Sequence, residues 1–331
     1  MTNWYLQRAF QMALTVYVVI TLTFVLTRML PGSAVGVLIA RLEDETDMSA
    51  AEINAAVERF INVNPEDPIH VAYVDFVGST PRGDPGESIW YGDSVNAIMA
   101  EAIPWTLFIV SWSLFIGFFL GIGLGSVMAY YEGGKIDVGL TTYGMIAGSI
   151  PYYVFAIFLL LALSYRTGVF PTSGRVGSVD HGFTLEFVAS VVHHAALPTI
   201  SMVLSGSIAS LSMRANSISV LGADYLRVAR LRGLSNYTII GQYVLRNAVL
   251  PMYTSFMISI GQMFGGVIIL ESIFGYRGMG WYMVESVSTR DYPLMMGCFM
   301  VITIAVVIAL FIADLTYPRI DPRITVENEE L

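Results

Sequence analysis

Few residues in this chain could carry reactive chemistry, and their spacing works against each candidate. His193 and His194 invite a metal-ligand reading. Neighbours in sequence do not share a helical face, however, and neither a Cys nor a carboxylate lies within a turn, so a histidine pair at a membrane interface fits the pattern better than a metal site. Cys298 is the one cysteine and sits in an apolar run, which leaves no disulfide framework and no Cys-based zinc or iron–sulfur site. Lys135, the one lysine, follows Gly133-Gly134 and precedes Ile136, so a G-x-x-x-x-G-K-[ST] phosphate loop cannot be written anywhere. The alternation at Gly121, Gly123 and Gly125 lacks the preceding strand of a dinucleotide fingerprint. No Ser–His–Asp arrangement is legible, and no metal ligand set, bound cofactor or nucleic-acid partner is expected.

The stretch that does point to a function is Gly222–Ser235. Its spacing predicts a short helix over Ala223–Arg232, with Asp224 suited to the first turn and Gly233 to the C-cap. Tyr225, Val228, Ala229 and Arg232 recur at helical spacing, and Arg227, Arg230 and Arg232 give a basic rim. A short helix with a compact apolar face and a basic rim is what docks into a groove on another protein. A basic loop lying on anionic lipid explains the arginines but neither the ordered apolar face nor the glycine stop.

What must position this helix is a membrane scaffold. The chain has 331 residues and is 55% apolar before its 30 glycines are counted, with only 13% charged residues, where soluble domains have about 45–50% and about 25%. Six stretches are long and apolar enough to span: 10–30, 104–130, 138–165, 195–213, 249–270 and 294–312. An even number puts both termini on one side. Arg8, Lys135, Arg214, Arg227, Arg230, Arg232, Arg246, Arg319 and Arg323 crowd the short segments of that side, which the positive-inside rule makes cytoplasmic. The expected organisation is a first span within 1–30, an external segment 31–102, a five-helix core 103–317 containing a cytoplasmic loop 214–247, and a cytoplasmic tail 318–331.

The external segment holds 13 acidic and 3 basic residues, a net of −10, against −9 for the whole chain. Such a face suits a protein bathed in concentrated salt, where screening removes self-repulsion, and equally an ordinary acidic loop. Comparing stability in dilute and molar salt decides between them. Ser49-Ala-Ala-Glu52 has capping-box spacing and predicts an amphipathic helix over 49–61, ended by Pro65 and Pro68.

Within the spans, Gly117, Gly121 and Gly125 lie four apart, as do Gly144 and Gly148, and glycine at that spacing lets helix backbones approach closely in lipid. Pro151 predicts a kink in the third span. Ser205 in the fourth span and Gln262 in the fifth are poorly suited to lipid; they face either a wet pathway or a helix interface. Arg28, Glu101, Arg214, Glu271 and Asp314 fall near span ends, where side chains can snorkel. No carboxylate or histidine occupies the middle of a span, which disfavours a stand-alone ion-coupled carrier.

These residues also resemble a known family. Arg227-Val228-Ala229 followed by Gly233 stands where the cytoplasmic signature loop of ABC importer permeases has Glu-Ala-Ala, three residues and Gly. The missing acidic residue and the later position of Pro251 look like the peptide/nickel subfamily, which reads Asp-Tyr-Val-Arg-Thr-Ala-Arg-Ala-Lys-Gly-Leu and Leu-Arg-Asn-Ala-Leu-Leu-Pro; the equivalents here are Asp224–Leu234 and Leu245–Pro251. Arg28-Met-Leu-Pro-Gly32, Ile103-Pro-Trp-Thr-Leu107, Phe170-Pro-Thr-Ser-Gly174, Glu271–Gly280, Arg290-Asp-Tyr-Pro293 and Asp321-Pro-Arg-Ile324 follow in the subfamily's order. The long segment after the first span is similar to the permease that pairs with a second, different permease.

The resemblance implies an all-α polytopic permease in the cell membrane. Two permeases would form the pathway, two cytoplasmic ATPases would dock beneath them, and an external binding protein would deliver substrate. This chain would bind no cofactor, ATP and Mg residing on the ATPases. Asp224, Tyr225, Arg227, Ala229, Arg230 and Gly233 would form the coupling surface. Peptides are the expected cargo, with nickel chelates or oligosaccharides as the alternative.

Overall fold

The computed structural model describes residues 2–29, 39, 68–79, 85–179, 182, 184–206, 208–221 and 223–320. The helix expected over 49–61 and the tail beyond 320 lie outside them. Among the described residues the chain is helical, and the one extended pairing is an isolated bridge between Glu87 and Ser94. The long elements are α1 (Thr2–Met29), α2 (Ile69–Ser79), α3 (Val95–Tyr130), α4 (Lys135–Gly148), α5 (Tyr152–Leu159, continuing as a π-helical turn Leu160–Tyr165), α6 (Leu185–Ser205), α7 (Ile208–Leu221), α8 (Asp224–Leu231), α9 (Leu245–Ile273), α10 (Met279–Thr289) and α11 (Tyr292–Ile320).

Among the described residues, four stretches are long and apolar enough to cross a membrane: Gln7–Leu26, Val95–Tyr130, Leu185–Ser205 and Tyr292–Ile312. The pair α4 and α5 makes a fifth if its two arms count as one span, and they meet at 96°. That bend is far sharper than the kink expected from Pro151. The proline is not inside a helix but caps α5, with extended backbone (ψ 143°), and a proline ring disfavours helical geometry in the residue before it. The fourth span also differs from expectation. The helix begins ten residues earlier, where the Thr184 hydroxyl accepts the Phe187 N–H at 3.2 Å, and it breaks at Gly206, inside the stretch 195–213.

The chain divides into two compact units. One comprises Met1–Leu107, Phe264–Ser272 and Arg277–Ile308. Its core joins α3, α10 and α11 through Val95, Met99, Ala102, Met279, Leu294 and Cys298. Two carboxylates fix it, and neither snorkels. Glu271 is fully buried; it accepts the Thr106 hydroxyl at 2.7 Å and the Trp281 N–H at 3.0 Å, while Thr106 Oγ1 accepts the Met279 N–H at 2.8 Å. The first N–H groups of α10 are thereby satisfied by residues remote in sequence. A Cβ on Gly278 would overlap the Glu271 carboxylate and lie 2.5 Å from Thr106 Oγ1, which accounts for a glycine there. Asp291 is the counterpart for α11. It accepts the Leu294 N–H at 3.1 Å, the Trp90 N–H at 3.0 Å and the Ser88 hydroxyl, tying 85–94 to the helix start.

The other unit comprises Phe108–Met263, Ile273–Tyr276 and Ala309–Leu331. Here α3 packs on α7 at two of its three expected glycines, Gly121 and Gly125, whereas a Cβ on Gly117 would meet nothing within 4 Å. A Cβ on Gly121 would sit 2.9 Å from Ala209 Cβ, and one on Gly125 2.5 Å from the Ser210 carbonyl. Backbone-to-backbone approach of that kind needs glycine.

Candidate functional site

The predicted short helix forms as α8, Asp224–Leu231, after Ala223 in extended conformation. Asp224 lies in its first turn and Arg230 in its last, each favourable to the helix dipole. Its end is a Schellman motif: the Leu234 N–H bonds the Ala229 carbonyl at 3.3 Å, the Gly233 N–H bonds the Arg230 carbonyl at 3.0 Å, and Leu234 packs back on the buried cluster containing Ala229. Gly233 sits at φ +72°, the left-handed geometry this motif requires. A Cβ there would meet nothing within 4 Å, so glycine is selected by backbone conformation alone.

Below the helix, Leu226 and Ala229 are buried with Ile239 and Val244, and Val220 and Leu234 close the cluster. Full burial of a leucine contributes about 1.5–3 kcal/mol, so Leu226 is the main anchor of α8. Ile239 and Val244 are the ends of a π-helical stretch, Ile239–Val244, that follows a single turn capped by the Ser235 hydroxyl on the Thr238 N–H. The Tyr225 ring stacks on Tyr243 at 6.5 Å between centroids.

Asp224, Tyr225, Arg227, Val228, Arg230, Arg232 and Gly233 are exposed. Ala229 is not: at 2% exposure it faces inward, which corrects its place in the expected apolar face. Leu231 takes the outward position at 82% exposure, and Tyr237 beyond the cap is 91% exposed. Neither was singled out from the sequence. An isolated leucine between arginines, three residues after a half-exposed valine, was the signal present.

The upstream helix α7 is fixed by an ion pair. Arg214 Nη2 lies 2.8 Å from Asp137 Oδ2 and its Nε contacts Oδ1; the same carboxylate accepts the Gly133 N–H at 2.9 Å and the Thr141 hydroxyl at 3.2 Å. Arg214 is therefore held, half-buried, by the buried Asp137 carboxylate and does not snorkel.

A cavity of about 380 Å³ opens beside the Gly206 break between α6 and α7. Ser113, Gly117, Phe118, Ala209, Ser212 and Phe256 are among its walls. The Ser113 hydroxyl is buried there with no hydrogen-bond partner. Ser205 is not part of the lining; its hydroxyl turns back toward the Met202 carbonyl at 3.4 Å. Gln262 lies in α9, with its side chain outside the described residues. His193 and His194 are each held by a carbonyl, of Val169 at 2.9 Å and Ser190 at 2.8 Å.

Residues 121–326, which include the cavity break, the ion-pair arginine and the capped helix, match the family of binding-protein-dependent transport system inner membrane components. The chain belongs to that family. It is 31% identical over 324 residues to the oligopeptide transport system permease protein AppB of Bacillus subtilis (strain 168), covering 97% of this chain and 98% of that one. It is 29% identical to the dipeptide transport system permease protein DppB of the same organism, covering 99% and 100%. Among solved structures, a chain of the MetNI methionine ABC transporter in inward-facing conformations superposes with TM-score 0.52 at 14% identity, over 68% of this chain and 96% of that one, a likeness of fold. The protein is thus a multi-pass inner-membrane permease component of a binding-protein-dependent ABC importer. As a transport component, it belongs to a system that also contains ATPase and substrate-binding partners.

Proposed function

We propose that this permease imports peptides and takes its drive from separate ATPase subunits through α8. The observation that carries the reading is the exposed surface of a rigidly capped helix. Val228 and Leu231 stand outward, Arg227, Arg230 and Arg232 flank them, and Leu226 and Ala229 pin the helix from below. A surface of this kind fits an apolar groove with an acidic rim on a partner. Asp224, Tyr225, Arg227, Arg230 and Gly233 keep their assigned roles, Gly233 as the cap; Ala229 becomes an anchor and Leu231 a contact.

In this reading α9 completes six spans, both termini and α8 are cytoplasmic, and 31–102 is external. A second, different permease supplies the other half of the pathway, two ATPases carry ATP and Mg, and an external protein presents the peptide. The absence of a phosphate-loop lysine supports leaving nucleotide chemistry to partners. Full-length relatives named for oligopeptide and dipeptide transport support the cargo. The cavity beside Gly206, with Phe118 and Phe256 among its walls, suits uncharged stretches of a peptide, and among the described residues no charged side chain lines it.

The test is a photo-crosslinker in place of Leu231 in the assembled transporter. The expected product joins this chain to an ATPase subunit, and its yield changes with nucleotide. Crosslinks to lipid alone would overturn the coupling assignment. Mass spectrometry of what the external partner retains checks the cargo, and recovery of metal chelates or sugars in place of peptides would refute it.

A further inference from the structure

We propose that the loop 168–177 is the gate of the pathway at the end remote from α8: the loop stays fastened to α6, and the pathway opens there when the loop parts from the turn 274–275. The proposal rests on the import reading above and adds to it the place where the chain opens.

Both α6 and α9 wall the cavity, through Met202 and Val203 on one and Met252, Ser255, Phe256 and Ser259 on the other. On α9 these residues lie in the first half, which follows α8, and on α6 they lie beside the break that leads through α7 to α8. At their opposite ends the two helices are joined through 168–177. His193 of α6, about 13.5 Å before Met202 at 1.5 Å per residue, donates its Nε2–H to the Val169 carbonyl at 2.9 Å, and the Ser190 hydroxyl accepts the Gly177 N–H at 2.9 Å. On the other side the Gly174 N–H bonds the carbonyl of Phe274, the residue directly after α9, at 3.0 Å.

The two attachments differ in kind. Toward α6 the loop continues a packed pair: α5 lies along α6, the Val169 and Phe170 N–H groups return to the Leu163 carbonyl of the π-helical turn at 3.2 and 3.3 Å, and the Phe170 ring meets His193 at 5.2 Å between centroids. Toward α9 the loop meets a turn. Gly174 at φ +94° adjoins Gly275 at φ +53°, where a Cβ would lie 3.2 Å from Ser173 Cβ and 3.9 Å from the Gly174 nitrogen. Ser173 is exposed and both glycines are half-buried, so the junction is backbone against backbone at the edge of water. Water replaces such a hydrogen bond at little net cost when the parts separate. Lifting the loop from α6 would instead also strip it from α5 and from the His193 ring. A path that takes cargo in at one end and releases it at the other must open at each end, and hinge or shear motion follows the boundary that unpacks least.

Cys298, the one cysteine, is fully buried, so introduced pairs can be oxidised selectively. The pair Ser173→Cys with Gly275→Cys spans the junction, its Cβ separation a little under the disulfide range of about 3.5–4.5 Å. The pair Gly177→Cys with Ser190→Cys fastens the loop to α6 alone; a Cβ on Gly177 would lie 3.2 Å from Ser190 Oγ. Each variant is assembled with its partner subunits in lipid vesicles and oxidised either without nucleotide or after trapping with ATP and vanadate. The junction crosslink should fall several-fold on trapping, while the α6-side crosslink holds constant. Oxidising the junction pair should also lower ATP hydrolysis several-fold, reversibly with a thiol reductant, and oxidising the α6-side pair should not. Equal junction yields in the two states, undiminished hydrolysis with the junction closed, or loss of the α6-side crosslink on trapping would each overturn the proposal. Ser173→Cys alone, carrying a nitroxide, leaves Gly275 in place; its spectrum should sharpen on trapping, and an unchanged spectrum is equally fatal. A gate that fails these tests while Leu231 still crosslinks to an ATPase subunit leaves the import reading standing.

Discussion

Gly233 offers the sharpest perturbation of α8, the helix proposed above to couple, because its requirement is conformational and nothing else. The φ of +72° costs an L-residue about 1–2 kcal/mol, and no neighbour lies within 4 Å to add a steric penalty. Gly233→Ala should therefore deplete the capped end of α8 by a factor of about 5–30, the population ratio of that energy. Gly233→Asn should lose less, since asparagine tolerates left-handed geometry. Gly233→Pro should lose most: the ring fixes φ near −65°, and the N–H that bonds the Arg230 carbonyl disappears. The cluster of Leu226, Ala229, Ile239 and Val244 does not need that cap to bury its side chains, so assembly in the membrane should survive. The assay is ATP hydrolysis by the reconstituted transporter, stimulated by loaded binding protein, for the series Gly, Asn, Ala, Pro. Falling stimulation in that order, with constant yields of assembled complex, is expected. Wild-type stimulation in both the Ala and the Pro variants would refute the role of a rigid α8.

Other consequences concern the buried polar groups. Thr106→Val removes at once a donor to Glu271 and the acceptor for the Met279 N–H, so it should lower stability by about 1–3 kcal/mol, visible as a lower thermal midpoint in detergent. Thr106→Ser, which keeps the hydroxyl, should recover most of the loss, and equal losses in both variants would assign the effect to packing. Asp137→Asn and Arg214→Gln should each destabilise by about 1–3 kcal/mol, with the double variant less affected than the sum, since one partner alone leaves a half-buried charge unpaired. Additive losses would show that the pair is not coupled.

The limits of α8 were legible because they follow from local rules: helical spacing from Asp224, a dipole-compatible acid, and a glycine where the chain must turn left-handed. Its inward side was not. Leu226 and Ala229 are i and i+3, and Ala229 also shares a stripe with Tyr225 and Val228. Which stripe is buried depends on the π-helical turn beneath it, a feature that hydrophobic spacing does not announce. Glu271 and Arg214 illustrate a second limit. A charge at a span end reads as a snorkel when its partner, Thr106 or Asp137, is 165 or 77 residues away. Serine content misleads about a pathway for a related reason: a helical serine can satisfy itself on a carbonyl three or four residues back, as Ser201, Ser255 and Ser259 do, so hydroxyl density does not say which side faces water.

The arrangement of α7 connects the two places where function is proposed. Its first turns, through Ala209 and Ser212, form part of the cavity wall, and its last residues lead to α8 across two positions only. Val220 packs into the cluster that holds Leu226, so the junction is bridged by side chains as well as by backbone. Between these ends the helix is gripped by Gly121 and Gly125 of α3 and by the Asp137–Arg214 pair from α4. A 14-residue helix is about 21 Å long and resists bending, so a push on α8 along this axis reaches the cavity wall with little loss unless the grip on α7 slips. The interruption at Gly206 marks where that rod ends and α6 begins. Under the coupling proposed above, displacement of α8 would be converted at Gly206 into a change of cavity shape, which is what an importer driven from outside its own chain requires.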